Sequence, residues 1–129
     1  MYLLDTNILI YARDGQLTVT AKFRQHDGDI YTSALVLAEL QLGLHQPGPQ
    51  SDLRRARLSR IIATIPVLAF DANAAQEYGA ILMERGWSRR RDFDRMIAAH
   101  ARSVGAVLVT NNTTDFSAVP NLKLENWAV

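Results

Sequence analysis

The chain has 129 residues and a mass of 14.4 kDa, with 48% hydrophobic and 21% charged residues, so one globular domain spanning residues 1–129 is expected. It has no cysteine, which removes disulfides, thiolate nucleophiles and Cys-ligated zinc. Fourteen Lys and Arg against thirteen Asp and Glu leave +1; no apolar run approaches the ~18–20 residues of a membrane span, and the apolar start, interrupted by Asp5 and Asn7, fails as a signal peptide, so a cytoplasmic protein away from membranes is expected.

Met1 to Leu4 reads as a buried strand that runs into the polar cluster Asp5-Thr6-Asn7. A helix is predicted from about Thr6 to Arg13, a turn at Asp14-Gly15, and a second helix from Thr18 to His26. Ile30 to Thr32 is a short strand. Ser33 is a good N-cap for a helix over Ala34–Leu42, with Gly43 as its stop. Pro47-Gly48-Pro49 demands a loop. The arginine-rich stretch Leu53 to Ala63 reads as helix, and Val67 to Phe70 as a strand after Pro66. Asp71 caps a helix that runs to Arg85 and ends at Gly86. Another helix runs from about Phe93 to Val104. Ala106 to Val109 is a buried strand, followed by a polar tract, Thr110 to Thr114. Leu122 to Glu125 is a last short strand. Strands alternating with helices predict a three-layer α/β/α sandwich on a mainly parallel sheet. In such sheets chemistry gathers at the carboxyl ends of the strands, where Asp5 and Thr110 to Asn112 fall.

Three acids stand out beside bland neighbours. Asp5 at the mouth of the first strand is either a helix N-cap or a ligand. Glu39 sits in Ala34–Leu42, a segment apolar nearly all round, which predicts a buried carboxylate, or else one at the rim of a buried helix. At 100° per residue, Asp94 shares a stripe with Ile97, Ala98 and Ala101 and points inward. Asp92 then serves as a cap or an exposed charge. Asp115 ends the polar loop. Asp71 caps a helix, and Glu77 and Glu84 are expected on its solvent face. His26, His45 and His100 form no metal-ligand spacing, and neither a phosphate-binding P-loop nor a serine hydrolase elbow is present.

Twelve of the fourteen cations are arginine. Eight lie in two runs, Arg54, Arg55, Arg57 and Arg60, and Arg89, Arg90, Arg91 and Arg95. Each run is either a solvated helix face or a surface for phosphates, which guanidinium groups bind as a bidentate fork.

These residues are in sum similar to a PIN-domain ribonuclease, and within that group to a VapC-type toxin of bacterial toxin–antitoxin modules. LLDTNILIYA at 3–12, TSALVLAELQLG at 32–43, FDRMIAAHARSVGAVLVTNNTTDF at 93–116 and VPNLKLENW at 119–127 match its motifs in order. The resemblance implies Asp5, Glu39, Asp94 and Asp115 as the catalytic acids, with Asp5, Asp94 and Asp115 as metal ligands. Thr110 and Asn111 match the polar residues beside the fourth acid, and Thr6, Arg89, Arg90 and Arg91 join them as candidate substrate contacts. It further implies Mg²⁺, with Mn²⁺ as the other option, an RNA substrate such as transfer RNA, a homodimer, and a VapB-type antitoxin through which alone the chain meets DNA. The lead-in Trp87 to Asp92 departs from the Gly- or Pro-containing pattern of the family. Two other readings stand: a non-catalytic RNA-binding PIN-domain adaptor, and a phosphatase of the haloacid dehalogenase type, which wants Asp where Asn7 stands.

Electrostatics fits a cation site. Two carboxylates about 5 Å apart repel by roughly 3 kcal/mol at an effective dielectric near 20. Four converging acids would make six such pairs, prohibitive beside a total stability of about 5–15 kcal/mol. They must bind a cation or hold protons, and oxygen-only ligands select Mg²⁺ or Mn²⁺.

Overall fold

The computed structural model describes residues 1–129. Five strands, β1 (Tyr2–Leu4), β2 (Ile30–Ser33), β3 (Val67–Leu68), β4 (Val107–Val109) and β5 (Lys123–Glu125), form one sheet in the order β3-β2-β1-β4-β5. Every pairing is parallel, so the expected mainly parallel sheet is parallel throughout. Seven helices flank it as the outer layers of the α/β/α sandwich: α1 (Thr6–Arg13), α2 (Leu17–Gln25), α3 (Ala34–Leu44), α4 (Ser51–Thr64), α5 (Ala72–Arg85), α6 (Asp92–Ser103) and α7 (Thr113–Phe116).

Leu3, Leu4, Leu108 and Val109 are fully buried, as strands covered on both faces require. They join Ile8, Leu9, Ile97 and Trp127 in one core cluster of 21 buried residues. The chain leaves β1 outward through β2 to β3, then crosses back to β4 on the other side. Beyond β1 and β4 the connections therefore diverge, and the sheet opens a crevice at its carboxyl edge. Asp5 N donates to Val109 O at 2.9 Å and closes the floor of that crevice.

The caps expected at Ser33 and Asp71 form: Ser33 Oγ accepts from Leu35 N at 3.1 Å and Asp71 Oδ1 from Ala74 N at 3.0 Å. Ser33 Oγ also lies 2.7 Å from Nδ1 of His100, which is 1% exposed on α6. This contact ties α6 to the start of α3. Burial pushes the His100 pKa below its ordinary value, against a smaller opposing pull from Asp71.

Several boundaries differ from expectation. Gly43 does not stop α3, which runs on to Leu44. A mid-helix glycine costs only about 1 kcal/mol, and Leu44 packs on the core. The strand after Pro66 is two residues long. Residues 113–116, expected as loop, form α7, whose Phe116 is buried. Glu77 and Glu84 do not stand free in solvent. Arg102 Nη2 is 2.9 Å from Glu77 Oε2, in ionic contact without hydrogen-bond alignment, and Arg102 Nη1 is 3.1 Å from Glu84 Oε2. The close packing of α5 on α6 brings these three residues together.

Candidate active site

Asp5 is 9% exposed and takes the first of the two roles the sequence offers for it, the N-cap of α1. Its Oδ1 caps α1 by accepting from Thr6 N at 2.8 Å, and its Oδ2 accepts from Thr110 Oγ1 at 2.9 Å. Both lone-pair faces are thus oriented by neighbours at the ends of β1 and β4. Burial raises the Asp5 pKa, the two hydrogen bonds pull it back, and the charge of Glu39 raises it further.

Thr6 Oγ1 donates to Glu39 Oε2 at 2.5 Å and links α1 to α3. Glu39 itself corrects an expectation: it is exposed rather than buried. Only Val36 and Leu40 of α3 are buried, and Ala38, Gln41 and Leu42 share the open side with Glu39. The apolar sequence of α3 exceeds what its packing uses, so residue type misreports the face.

Asp94 lies in the first turn of α6, half-buried, and accepts no hydrogen bond. Burial first, then the charges of Asp5, Asp115 and Glu39, push its carboxyl up to about 6, partly offset by Arg91. The charges of the other three acids therefore all bear on Asp94. Asp92 is neither a cap nor a free charge. Arg91 holds the cap position, and Asp92 Oδ1 accepts a hydrogen bond from Tyr78 OH on α5. The inward stripe of α6 turns Asp94 away from that contact.

Asp115 sits on α7, half-buried, and accepts from Asn112 Nδ2 at 2.5 Å. Asn112 N in turn donates to Thr110 Oγ1 at 3.0 Å. A continuous chain of hydrogen bonds thus runs from Asp115 through Asn112 and Thr110 to Asp5. Asn111 turns to the other side, accepting from Asn7 Nδ2 at 3.2 Å and donating to Tyr11 OH at 2.9 Å. Asn112, placed by the sequence only within the polar tract at the sheet edge, and Asn7 and Tyr11 are given no site role by the sequence reading. The three-residue step from Asn112 to Asp115 is the one signal that points to the first of them.

Arg91 lines a narrow cleft with Asp94, Asp115, Arg85 and Arg95. Arg89 and Arg90 are exposed and make no side-chain hydrogen bond or ion pair, so they are not brought to the acids as Arg91 is.

No three Asp, Glu or His side chains stand close enough together to grip one ion directly. The donor set nevertheless suits magnesium. All its atoms are oxygen, negative charge accumulates at Asp94 without a hydrogen-bond donor, and Mg²⁺ keeps several waters while taking only one or two carboxylates.

The sequence model of the PIN domain family matches residues 2–122 of this chain. The chain belongs to the PIN domain family, among the VapC ribonucleases, to which it is similar over nearly its whole length. It is 37% identical to the tRNA(fMet)-specific endonuclease VapC of Shigella flexneri, covering 98% of each chain. It is 34% identical to ribonuclease VapC2 of Rickettsia felis, again over 98% of each. Among solved structures, the DNA-bound VapBC of Salmonella typhimurium superimposes with a TM-score of 0.85 at 30% identity, covering 98% of this chain and 97% of that one. VapBC2 of Rickettsia felis bound to a promoter DNA fragment gives 0.84 at 32%, with 98% of each chain covered.

Proposed function

We propose that this chain is the toxin of a type II toxin–antitoxin module, an endoribonuclease that hydrolyses phosphodiester bonds of transfer RNA or another structured RNA. The observation that carries the reading is the grouping of four acids at one edge of the sheet: Asp115, Asn112, Thr110 and Asp5 form one hydrogen-bonded chain, Thr6 ties Glu39 to Asp5, and Asp94 shares a cleft with Asp115. A non-catalytic adaptor has no use for four mutually repelling acids, because each raises the cost of folding.

Asp5, Asp94 and Asp115 would hold the Mg²⁺ ion, with at least one of the three reaching it through a bound water rather than directly, and with Mn²⁺ as a substitute. When bound, the ion supplies Lewis acidity that stabilises charge building on the phosphate oxygens. The protein supplies orientation. Thr6 N and Thr110 Oγ1 fix both oxygens of Asp5. Asn112 fixes Asp115. Thr6 Oγ1 holds Glu39 at the open lip, where an attacking water is within reach of solvent. Arg91, beside Asp94 and Asp115, is placed to bind a phosphate oxygen of the substrate.

The same reading includes a VapB-type antitoxin as partner, a homodimer, and a cytoplasmic setting. The solved complexes of similar chains support the antitoxin. No helix is long and apolar enough to cross a membrane.

Mapping RNA ends in cells after brief induction, with purified protein and Mg²⁺ or chelator in parallel, tests the reading. Defined new 5′ ends, reproduced in vitro only with metal and lost in Asp94→Asn, are expected. Intact RNA in both settings would refute it.

A further inference from the structure

We propose that Arg54, Arg57 and Arg60 of α4, together with Arg13 of α1, form a track that binds the sugar–phosphate backbone of the RNA substrate away from the point of cleavage. The proposal rests on the ribonuclease reading and extends it to a surface outside the acid site.

The arginine run at 54–60 divides by what each side chain touches. Arg55 is structural: its Nε donates to Leu44 O at 2.7 Å, and its Nη1 lies 3.4 Å from Asp52 Oδ1. It ties the start of α4 to the end of α3. Arg54, Arg57 and Arg60 are exposed and make no side-chain hydrogen bond or ion pair. Their charges are uncompensated, on a helix whose buried contact is Leu58.

These three face α1 across connected depressions. One depression is lined by Arg13, Asp14, Arg57 and Arg60. The next is lined by Arg13, Gly43, Gln46 and Arg54. A third shares Arg13, Gly43 and Gln46 with the second and reaches Thr6, Asn7 and Glu39. Arg13 stands where all three meet. Its Nε and Nη2 engage Asp14, at 2.9 and 3.2 Å, and its Nη1 has no partner. Adjacent depressions that meet at Arg13 therefore lie between the Glu39 side of the acid site and four guanidinium groups.

Charge decides what fits. Four arginines face one carboxylate at Asp14, so the far end of the groove is cationic while the near end is acidic. A strand whose scissile phosphate lies at the acids would place flanking phosphates over the arginines, and guanidinium binds phosphate as a bidentate fork. Arg54 to Arg60 span about 9 Å along α4 at 1.5 Å per residue, a stretch over which more than one backbone phosphate can lie. An acidic protein segment is the competing occupant, and the groove gives it no run of apolar anchors among the arginines.

The test compares the wild-type chain with Arg54, Arg57 and Arg60 all changed to Ala, using a fluorescein-labelled RNA hairpin with a single-stranded tail, in chelator. All three side chains are exposed and unpartnered, so the fold should survive; the single variants Arg57→Gln and Arg60→Gln give a second, gentler measure. Arg24→Ala, at the amino-end groove beside Asp27 and Thr64, is the charge control. The triple variant should bind about tenfold more weakly at low salt, and the slope of log affinity against log salt should fall by about 2. The triple Lys variant should restore most of the slope. In cleavage with Mg²⁺, KM for the long RNA should rise with kcat unchanged, and a four-nucleotide substrate should be cut as by wild type. Equal binding by wild type and triple variant across the salt titration overturns the track. So does normal RNA binding with loss of the co-expressed antitoxin, which would make this a protein-binding face. A wild-type chain that neither binds nor cuts RNA overturns the ribonuclease reading itself, a result distinct from both.

Discussion

Thr110 Oγ1 donates to Asp5 Oδ2 at 2.9 Å, so a side chain at the end of β4 orients a carboxylate at the end of β1, 105 positions away. The same hydroxyl accepts from Asn112 N at 3.0 Å, which fixes where its proton points. Thr110→Val keeps the shape and removes the donor. Partners that orient a ligand typically carry 10- to 100-fold of activity, and a loss of about that size is expected in RNA cleavage. Thr110→Ser should recover most of it. Full activity in the Val variant would show that Asp5 needs no orientation from β4.

The acids differ in kind from their neighbour Asp92. Asp5→Asn and Asp94→Asn should each abolish cleavage and growth inhibition. Asp92→Asn should retain most of both, because an amide oxygen still accepts from Tyr78 OH, the contact that links α5 to α6. Growth curves after induction, with cleavage assays on purified protein, measure this. Equal loss in all three variants would remove the distinction between Asp94 and Asp92.

The raised Asp94 pKa has a signed consequence for stability. The folded value is about 6 and the ordinary value is 3.8. Between the two, the folded state holds more protons than the unfolded one. Stability of the metal-free protein therefore falls as pH rises through this window and levels off above it. Asp94→Asn should melt higher than wild type at pH 7 in chelator and show a shallower fall with pH. Some slope should persist, since the Asp5 pKa is also raised. Added Mg²⁺ should raise the wild-type melting temperature more than that of the variant. A variant that melts lower than wild type at pH 7 would mean that Asp94 is a stabilising partner of some other group.

An acidic cleft beside exposed Leu42 on α3 suits an antitoxin tail with apolar anchors and one inserted Arg or Lys. That cation would pair with the carboxylates in place of the metal. Titrating Mg²⁺ into the purified complex should weaken it, and Asp94→Asn should lower affinity modestly while the apolar anchors hold. Affinity unchanged by metal and by Asp94→Asn would place the antitoxin outside the acid site.

The sequence carried the centre of the sheet well because β1 and β4 are covered on both faces, and such strands are nearly uniform in apolar residues. Tyr2–Leu4 and Val107–Val109 could hardly be placed elsewhere. Asp94 was legible for a related reason: the stripe of Ile97, Ala98 and Ala101 is strongly one-sided, and all three are buried. Glu39 was misplaced because α3 is apolar beyond its needs, leaving Leu42 80% exposed. Nothing in the periodicity of Ala34–Leu42 separates covered leucines from bare ones. Asp92 was misread because its partner, Tyr78, comes from another helix, and a contact across fourteen residues leaves no local trace. The short α7 was hidden by its polar composition, which matches a loop until Phe116 is seen to enter the core.

Asp5 is far in sequence from two of the other acids. Asp94 and Asp115 follow it by 89 and 110 positions, and β4 must dock beside β1 before Thr110 can reach Asp5. A ribosome that has not yet made Asp115 therefore carries no complete acid site. That site comes into being only when β4 and α7 settle against β1. A chain arrested anywhere before Asp115 should leave RNA intact, which makes late assembly a built-in delay between making the protein and releasing its effect.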